Sequence, residues 1–127
     1  MSREAVLLLS CLMVGHFLGD FTPLATARMQ EAKARGGPMR VIAAHAALHA
    51  VLTGLAVALV ARPEASALVL VVALQFLTHW GLDAFRARLG VRVPALADPA
   101  KNVHWTALGL DQLAHGLVLL AITVIAV

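Results

Sequence analysis

The sequence predicts an all-α, four-helix transmembrane bundle with both termini on the non-cytoplasmic side, and three observations carry that prediction. Apolar residues make up 61% of the chain and charged residues 13%, against the roughly one quarter charged in an ordinary soluble domain. The mean hydropathy is +0.86. The apolar residues also fall into four segments, each offering the about 20 residues that a helix needs to cross a bilayer, with the positive charges collected between them. All 127 residues read as a single integral membrane domain.

The helices are expected at about 5–24, 39–60, 67–88 and 100–126. The first carries His16 and Asp20 near its end, where Pro23 kinks or ends it. Residues 25–40 form a polar stretch with Arg28, Lys33, Arg35 and Arg40, closed by Gly36-Gly37-Pro38, which are residues of loops and helix starts. The second helix holds His45 and His49 in an otherwise nearly apolar run. Arg62-Pro63-Glu64 makes a tight connection to the third, which has His79 and Asp83 near its far end. A second polar stretch follows with Arg86, Arg88, Arg92 and Lys101, in which Asp98-Pro99 reads as an N-cap followed by proline at the first helical position. The fourth helix contains Asp111 and His115.

Of the ten Lys and Arg residues, all but Arg3 and Arg62 fall in the two long connections. By the positive-inside rule those connections are cytoplasmic. The pI near 10.0 does not point to nucleic acid, because no dense basic run is interleaved with aromatic residues. The N-terminal run Ala5–Gly15 followed by Ala25-Thr26-Ala27 imitates a secretory signal, and Leu8-Leu9-Ser10-Cys11 imitates a lipoprotein cleavage site. Cys11 comes too early for that, and His16 and Asp20 interrupt the run, so a retained first helix is expected. With Cys11 the only cysteine, neither an internal disulfide nor a cysteine metal site is available.

Each predicted helix contributes two ionisable groups at i and i+4: His16 with Asp20, His45 with His49, His79 with Asp83, and Asp111 with His115. That spacing puts both on one helix face. Counted by helical rise, all eight lie within roughly 5 to 20 Å of the cytoplasmic interface. Helices that turn these faces inward bring five imidazoles and three carboxylates to the bundle centre. The plain alternative is eight separate polar contacts between helices, which are ordinary in membrane bundles. Four pairs of one spacing and one depth argue against it. Three unpaired intramembrane aspartates cost on the order of 8 to 10 kcal/mol on insertion scales, so something must neutralise them.

Protonated histidines serve that purpose, but bound divalent cations suit the residue types better: imidazole with carboxylate fits zinc, and also iron or manganese. The expected metal ligands are His16, Asp20, His45, His49, His79, Asp83, Asp111 and His115. Two ions against three aspartates leave one positive charge, which a hydroxide cancels; a single ion with the remaining groups behind its ligands is also compatible. His104 beside Trp105 suits the membrane interface. Gln112 either orients a ligand or substrate or makes a packing hydrogen bond. Lys33 and Arg86, near the cytoplasmic mouth, fix topology, touch lipid phosphates or hold a phosphate-bearing substrate.

In order along the chain, His16-Phe17-Leu18-Gly19-Asp20-Phe21, Lys33, His45 and His49, Thr78-His79 with Asp83, and Asp111-Gln112 with His115 resemble a family of small bacterial membrane proteins defined by a domain of unknown function, number 3307. The resemblance covers nearly the whole chain. It departs at Leu24, where that family often has glutamine, and at Arg86, where lysine is common. It implies a multi-pass protein of the bacterial inner membrane and strengthens the site without naming a reaction. More loosely, helices carrying His and Asp pairs resemble bacterial membrane-bound metal-dependent hydrolases.

The leading functional expectation is a metal-dependent hydrolase acting on a phosphate or acyl bond of a lipid at the cytoplasmic leaflet, with Asp20 or Asp83 taking the proton. A metal-ion or proton transporter is the first alternative, although the outer helix halves offer little beyond Ser10, Thr53, Gln75 and Thr123 as a path. Haem binding leaves the aspartates without a task, and the alanines around His45 and His49 favour close packing over a macrocycle. A structural or regulatory subunit with a metal staple is the remaining class. The bilayer is the expected partner, and the sequence leaves open whether the chain forms oligomers.

Overall fold

A computed structural model describes residues 2–127 as five α-helices and one short 3-10 turn, with no strand among the described residues. The long helices are α1 (Arg3–Phe21), α3 (Met39–Val60), α4 (Ala65–Arg92) and α5 (Asn102–Ala126); α2 (Ala27–Arg35) is short. The four long helices are apolar enough and long enough to cross a membrane, and the chain is a multi-pass membrane protein. α3 packs on α1 and α4, and α5 on α1 and α4, which closes a four-helix bundle. Its outward surface is apolar: Leu55, Val69, Leu117 and Val124 are each more than half exposed. One half of the interior is filled by Leu8, Leu12, Val57, Val71, Leu119 and Ile122. The other half, toward α2, holds the ionisable pairs.

Local chemistry sets the element ends. The Ser2 hydroxyl oxygen accepts the N–H of Ala5 at 3.0 Å and opens α1. α1 stops at Phe21, earlier than the expected 24: the next residue, Thr22, is extended, its hydroxyl donates back to the carbonyl of Leu18, and Pro23 follows. The polar stretch expected as loop folds into α2. Thr26 caps that helix by accepting from Met29 N–H at 3.3 Å, and Gly36 ends it in the left-handed conformation that glycine adopts without a Cβ clash. Ala32, Val41, Ile42 and Ala87 seat α2 across α3 and α4, and the Gln30 amide donates to the Asp20 carbonyl at 3.3 Å.

α4 runs longer than the expected 67–88. Its 28 residues span about 42 Å, beyond the roughly 30 Å of hydrocarbon, so its last turns carry Arg88 and Arg92 past the apolar layer. Arg86 Nη2 donates to the Leu96 carbonyl at 2.9 Å and pins the 3-10 turn Pro94–Leu96 against the helix. Asp98 is not the N-cap of the last helix. Its carboxylate accepts from the N–H of Ala100 at 2.9 Å in a local turn, and α5 begins only at Asn102, without a side-chain cap.

Candidate metal centre

Four helix faces supply the centre. Pairs at i and i+4 lie one above the other on a helix, and the packing turns each pair inward: His45, His49, His79, Asp83 and His115 are buried, while His16, Asp20 and Asp111 are half-buried. The five imidazole rings sit among one another, from 3.8 Å between the stacked centroids of His49 and His79 to 5.7 Å between His16 and His79.

Asp20 and Asp83 are the two hubs. Oδ1 of Asp20 lies 2.9 Å from His45 Nε2 and 3.4 Å from His49 Nε2, and its Oδ2 lies 3.4 Å from His16 Nε2. Asp83 Oδ2 lies 3.4 Å from His79 Nε2 and 3.5 Å from His45 Nε2, while its Oδ1 is 3.9 Å from His115 Nε2. Two sets of donors are close enough to hold a metal ion: Asp20, His45, His49 and His79, and then His79, Asp83 and His115, with donor atoms within 4.8 Å of one another in each. His79 belongs to both. Nitrogen and oxygen donors in these numbers match the zinc, iron and manganese repertoire.

Six of the eight expected ligands therefore converge in these sets, and His16 and Asp111 stand beside them. His16 Nε2 donates to Gln112 Oε1 at 3.1 Å, and Gln112 Nε2 donates in turn to Asp111 Oδ2 at 3.2 Å. His115 Nδ1 donates to the backbone carbonyl of Asp111 at 2.8 Å. That bond places the ring proton on Nδ1 and leaves the Nε2 lone pair facing Asp83, the way outer hydrogen bonds orient metal-ligating histidines. Gln112 thus ties His16 to Asp111.

Hydrogen-bond accounting fits an ion. Nine buried side-chain polar atoms have no hydrogen-bond partner among the described residues: His16 Nδ1, His45 Nδ1, His49 Nε2, both nitrogens of His79, both oxygens of Asp83, His115 Nε2 and Gln75 Oε1. All but the last belong to the expected ligands. An unmet buried polar atom costs about 1–3 kcal/mol, and a cluster of them on metal-ligating residue types fits a bound ion, with Asp83 Oδ1 also facing the Lys33 ammonium at 3.1 Å.

Sequence reasoning placed Lys33 at the mouth, and the structure carries it further in. Its Nζ lies 3.1 Å from Asp83 Oδ1 and 3.6 Å from Asp20 Oδ1. Burial disfavours the ammonium charge, but Asp83 and Asp20 more than offset this and raise the Lys33 pKa above the ordinary lysine value. Gly19 is the residue that sequence reasoning did not single out. A Cβ there would overlap the His49 ring, so the imidazole fits only because that helix face lacks a side chain. The signal was present as Gly19 immediately before Asp20. His104 donates from Nδ1 to the Leu96 carbonyl at 2.9 Å. With Asp20, Lys33, Asp83, Arg86 and Asp111 it lines a cavity of about 300 Å³ that opens at the α2 end.

No curated protein and no solved structure matches the chain. A family described as "Protein of unknown function (DUF3307)" matches residues 8–127, nearly the whole bundle with every ionisable pair, and the chain belongs to that family.

Proposed function

We propose that the chain is a metal-dependent hydrolase of an ester or phosphoester bond, working at the cytoplasmic leaflet of a bacterial inner membrane. The observation that carries this reading is the group of buried donor atoms without a hydrogen bond on His49, His79, Asp83 and His115, of which Asp83 also lines the cavity that opens at the α2 end. A purely structural cluster would meet its own hydrogen bonds; this one leaves several donor atoms without them, grouped within 4.8 Å of one another in each of two sets.

Charge supports a cation there. With neutral histidines, Asp20, Asp83 and Asp111 carry three negative charges, and Lys33, which faces two of them, supplies one positive. One divalent ion completes the balance; a second is balanced by a doubly charged anion such as a phosphate. When bound, a divalent ion supplies Lewis acidity and a hydroxide nucleophile at neutral pH. Asp20 with His45, His49 and His79 holds it, or His79 with Asp83 and His115. Asp111 stands outside both sets and lines the cavity, so in this reading it takes the proton, a role that the sequence had suggested for Asp20 or Asp83. Gln112 holds the Asp111 carboxylate in place. In the net reaction water adds to phosphorus or to the acyl carbon, the ester bond to oxygen breaks, and the alcohol leaves with the proton that Asp111 accepted from water. Lys33 and Arg86 face the developing negative charge.

The transporter reading finds less support. Leu8, Leu12, Val57, Val71, Leu119 and Ile122 pack the other half of the bundle, which opposes a through-path.

The test is turnover by the full chain in nanodiscs loaded with zinc, iron or manganese, across phosphomonoester, phosphodiester and acyl-ester substrates. Product release that is lost with His79→Ala, which removes a donor from both sets, and with chelation is expected. No turnover of any class with any of the metals overturns the proposal.

A further inference from the structure

The cavity at the α2 end does not stand alone. A second depression of about 200 Å³ lies between α4 and α5, lined by Leu82, Phe85, Leu89, Ala107, Leu110 and Ala114, and it shares Arg86 and Asp111 with the cavity. The two adjoin at Arg86 and Asp111, with the charged residues on one side and an apolar lining on the other. The apolar arm faces the surroundings of the bundle, since Phe85 and Leu110 are 66% and 62% exposed on a surface that the fold turns to lipid. Ala107 and Ala114 leave the room.

We propose that the ligand of this site is a lipid with an anionic phosphate headgroup, which reaches the centre sideways through the membrane. Its headgroup sits in the cavity against Lys33 and Arg86, and a hydrocarbon chain lies in the groove between α4 and α5. The substrate class rests on the hydrolase reading; the binding site does not.

Adjacency selects this occupant. A third groove between α3 and α4, lined by Ala47, Val51, Val69 and Phe76, is equally apolar but shares no residue with the polar cavity, so nothing there would hold a headgroup. Charge complementarity selects the phosphate. Arg86 uses one N–H on the Leu96 carbonyl, and a guanidinium has five, arranged to bind phosphate in pairs. Lys33 supplies a second cation in the lining of the same cavity. A water-soluble phosphate would use only the polar arm and leave the groove without purpose. A neutral lipid would leave the remaining guanidinium donors of Arg86 without an anionic partner.

The test is photolabelling of the purified full chain in phosphatidylcholine vesicles with phosphatidic acid carrying a diazirine in its acyl chain, with labelled residues mapped by mass spectrometry. Labels at Leu82, Leu110 and Ala114 are expected to exceed those at Val51 and Val69 at least tenfold. Unlabelled phosphatidic acid should compete, and phosphatidylcholine should not. Ala114→Trp, with Ala107→Leu as the milder second variant, should reduce the α4–α5 labels at least fivefold with helicity unchanged. Arg86→Gln should abolish the preference for phosphatidic acid. Labels spread evenly over the grooves, or glycerol 3-phosphate competing as well as the lipid, overturn the proposal. Saturable α4–α5 labelling without turnover overturns only the hydrolase; turnover of a soluble ester without that labelling overturns only the lipid site.

Discussion

The ammonium of Lys33 stands 3.1 Å from Oδ1 of Asp83, so a residue of the short helix α2 completes the charge cluster that the four long helices build. Removing it leaves Asp83 and Asp20 facing each other's surroundings without a fixed cation. Lys33→Met is expected to cost about 3 kcal/mol, the lower end for breaking a buried pair, because the Lys33 side chain keeps 23% of its exposure. A divalent ion compensates, and it binds more tightly once the competing charge is gone. Thermal unfolding with chelator should therefore show the larger loss, and unfolding with saturating metal the smaller. Equal losses in both contradict a shared charge cluster.

Gly19 lets the His49 ring lie against α1. Gly19→Ala places a methyl on that ring, and overpacking of this kind costs about 1–3 kcal/mol while it displaces a ligand. Metal affinity is expected to fall at least tenfold. Gly54→Ala is the control, since its methyl would meet only the end of the Val72 side chain and no ligand. Competition with a metal-sensitive dye reads both. Equal affinities for the two variants contradict the role given to Gly19.

Gln112 bonds both His16 and Asp111 but belongs to neither donor set. Gln112→Leu is therefore expected to keep the metal content of the wild type and to lower turnover by up to about a hundredfold, the lower end of what a positioned proton acceptor contributes. Metal analysis beside kcat and KM checks this. A loss of metal instead would make Gln112 a support of the ligands.

Ala32 is nearly fully buried and seats α2 on Val41, Ile42 and Ala87. Ala32→Phe is expected to lift α2, at about 1–3 kcal/mol, and with it Lys33. Limited proteolysis after Arg28 and Arg35 should accelerate, while the four long helices stay protected. Unchanged cleavage contradicts the packing described for α2.

The four spans and the ionisable pairs were legible because both are periodic: long apolar runs mark the helices, and the i, i+4 spacing marks the inward faces. The short helix was not. A nine-residue helix is marginal by itself, and the charges of Arg28, Glu31, Lys33 and Arg35 read as loop; only the seat formed by Val41, Ile42 and Ala87 makes α2 a helix and turns Lys33 inward. Thr26 and Gly36, its caps, were the local signal. The separation of His16 and Asp111 from the donor sets was invisible for a different reason. One spacing and one depth describe all eight residues, and the separation comes from Gln112, whose reach across to α1 depends on how α5 is rotated.

The central claim is that side chains from facing helices share a cation, and the metal content of the purified protein tests it most directly. Wild type and His79→Ala, purified side by side after growth with zinc, iron and manganese, are measured by elemental analysis, with helicity checked by circular dichroism. At least one equivalent of divalent metal per wild-type chain is expected, with less than a tenth of that in a folded His79→Ala, because His79 belongs to both donor sets. A wild type without metal, or a variant that keeps the full complement, contradicts a shared metal site.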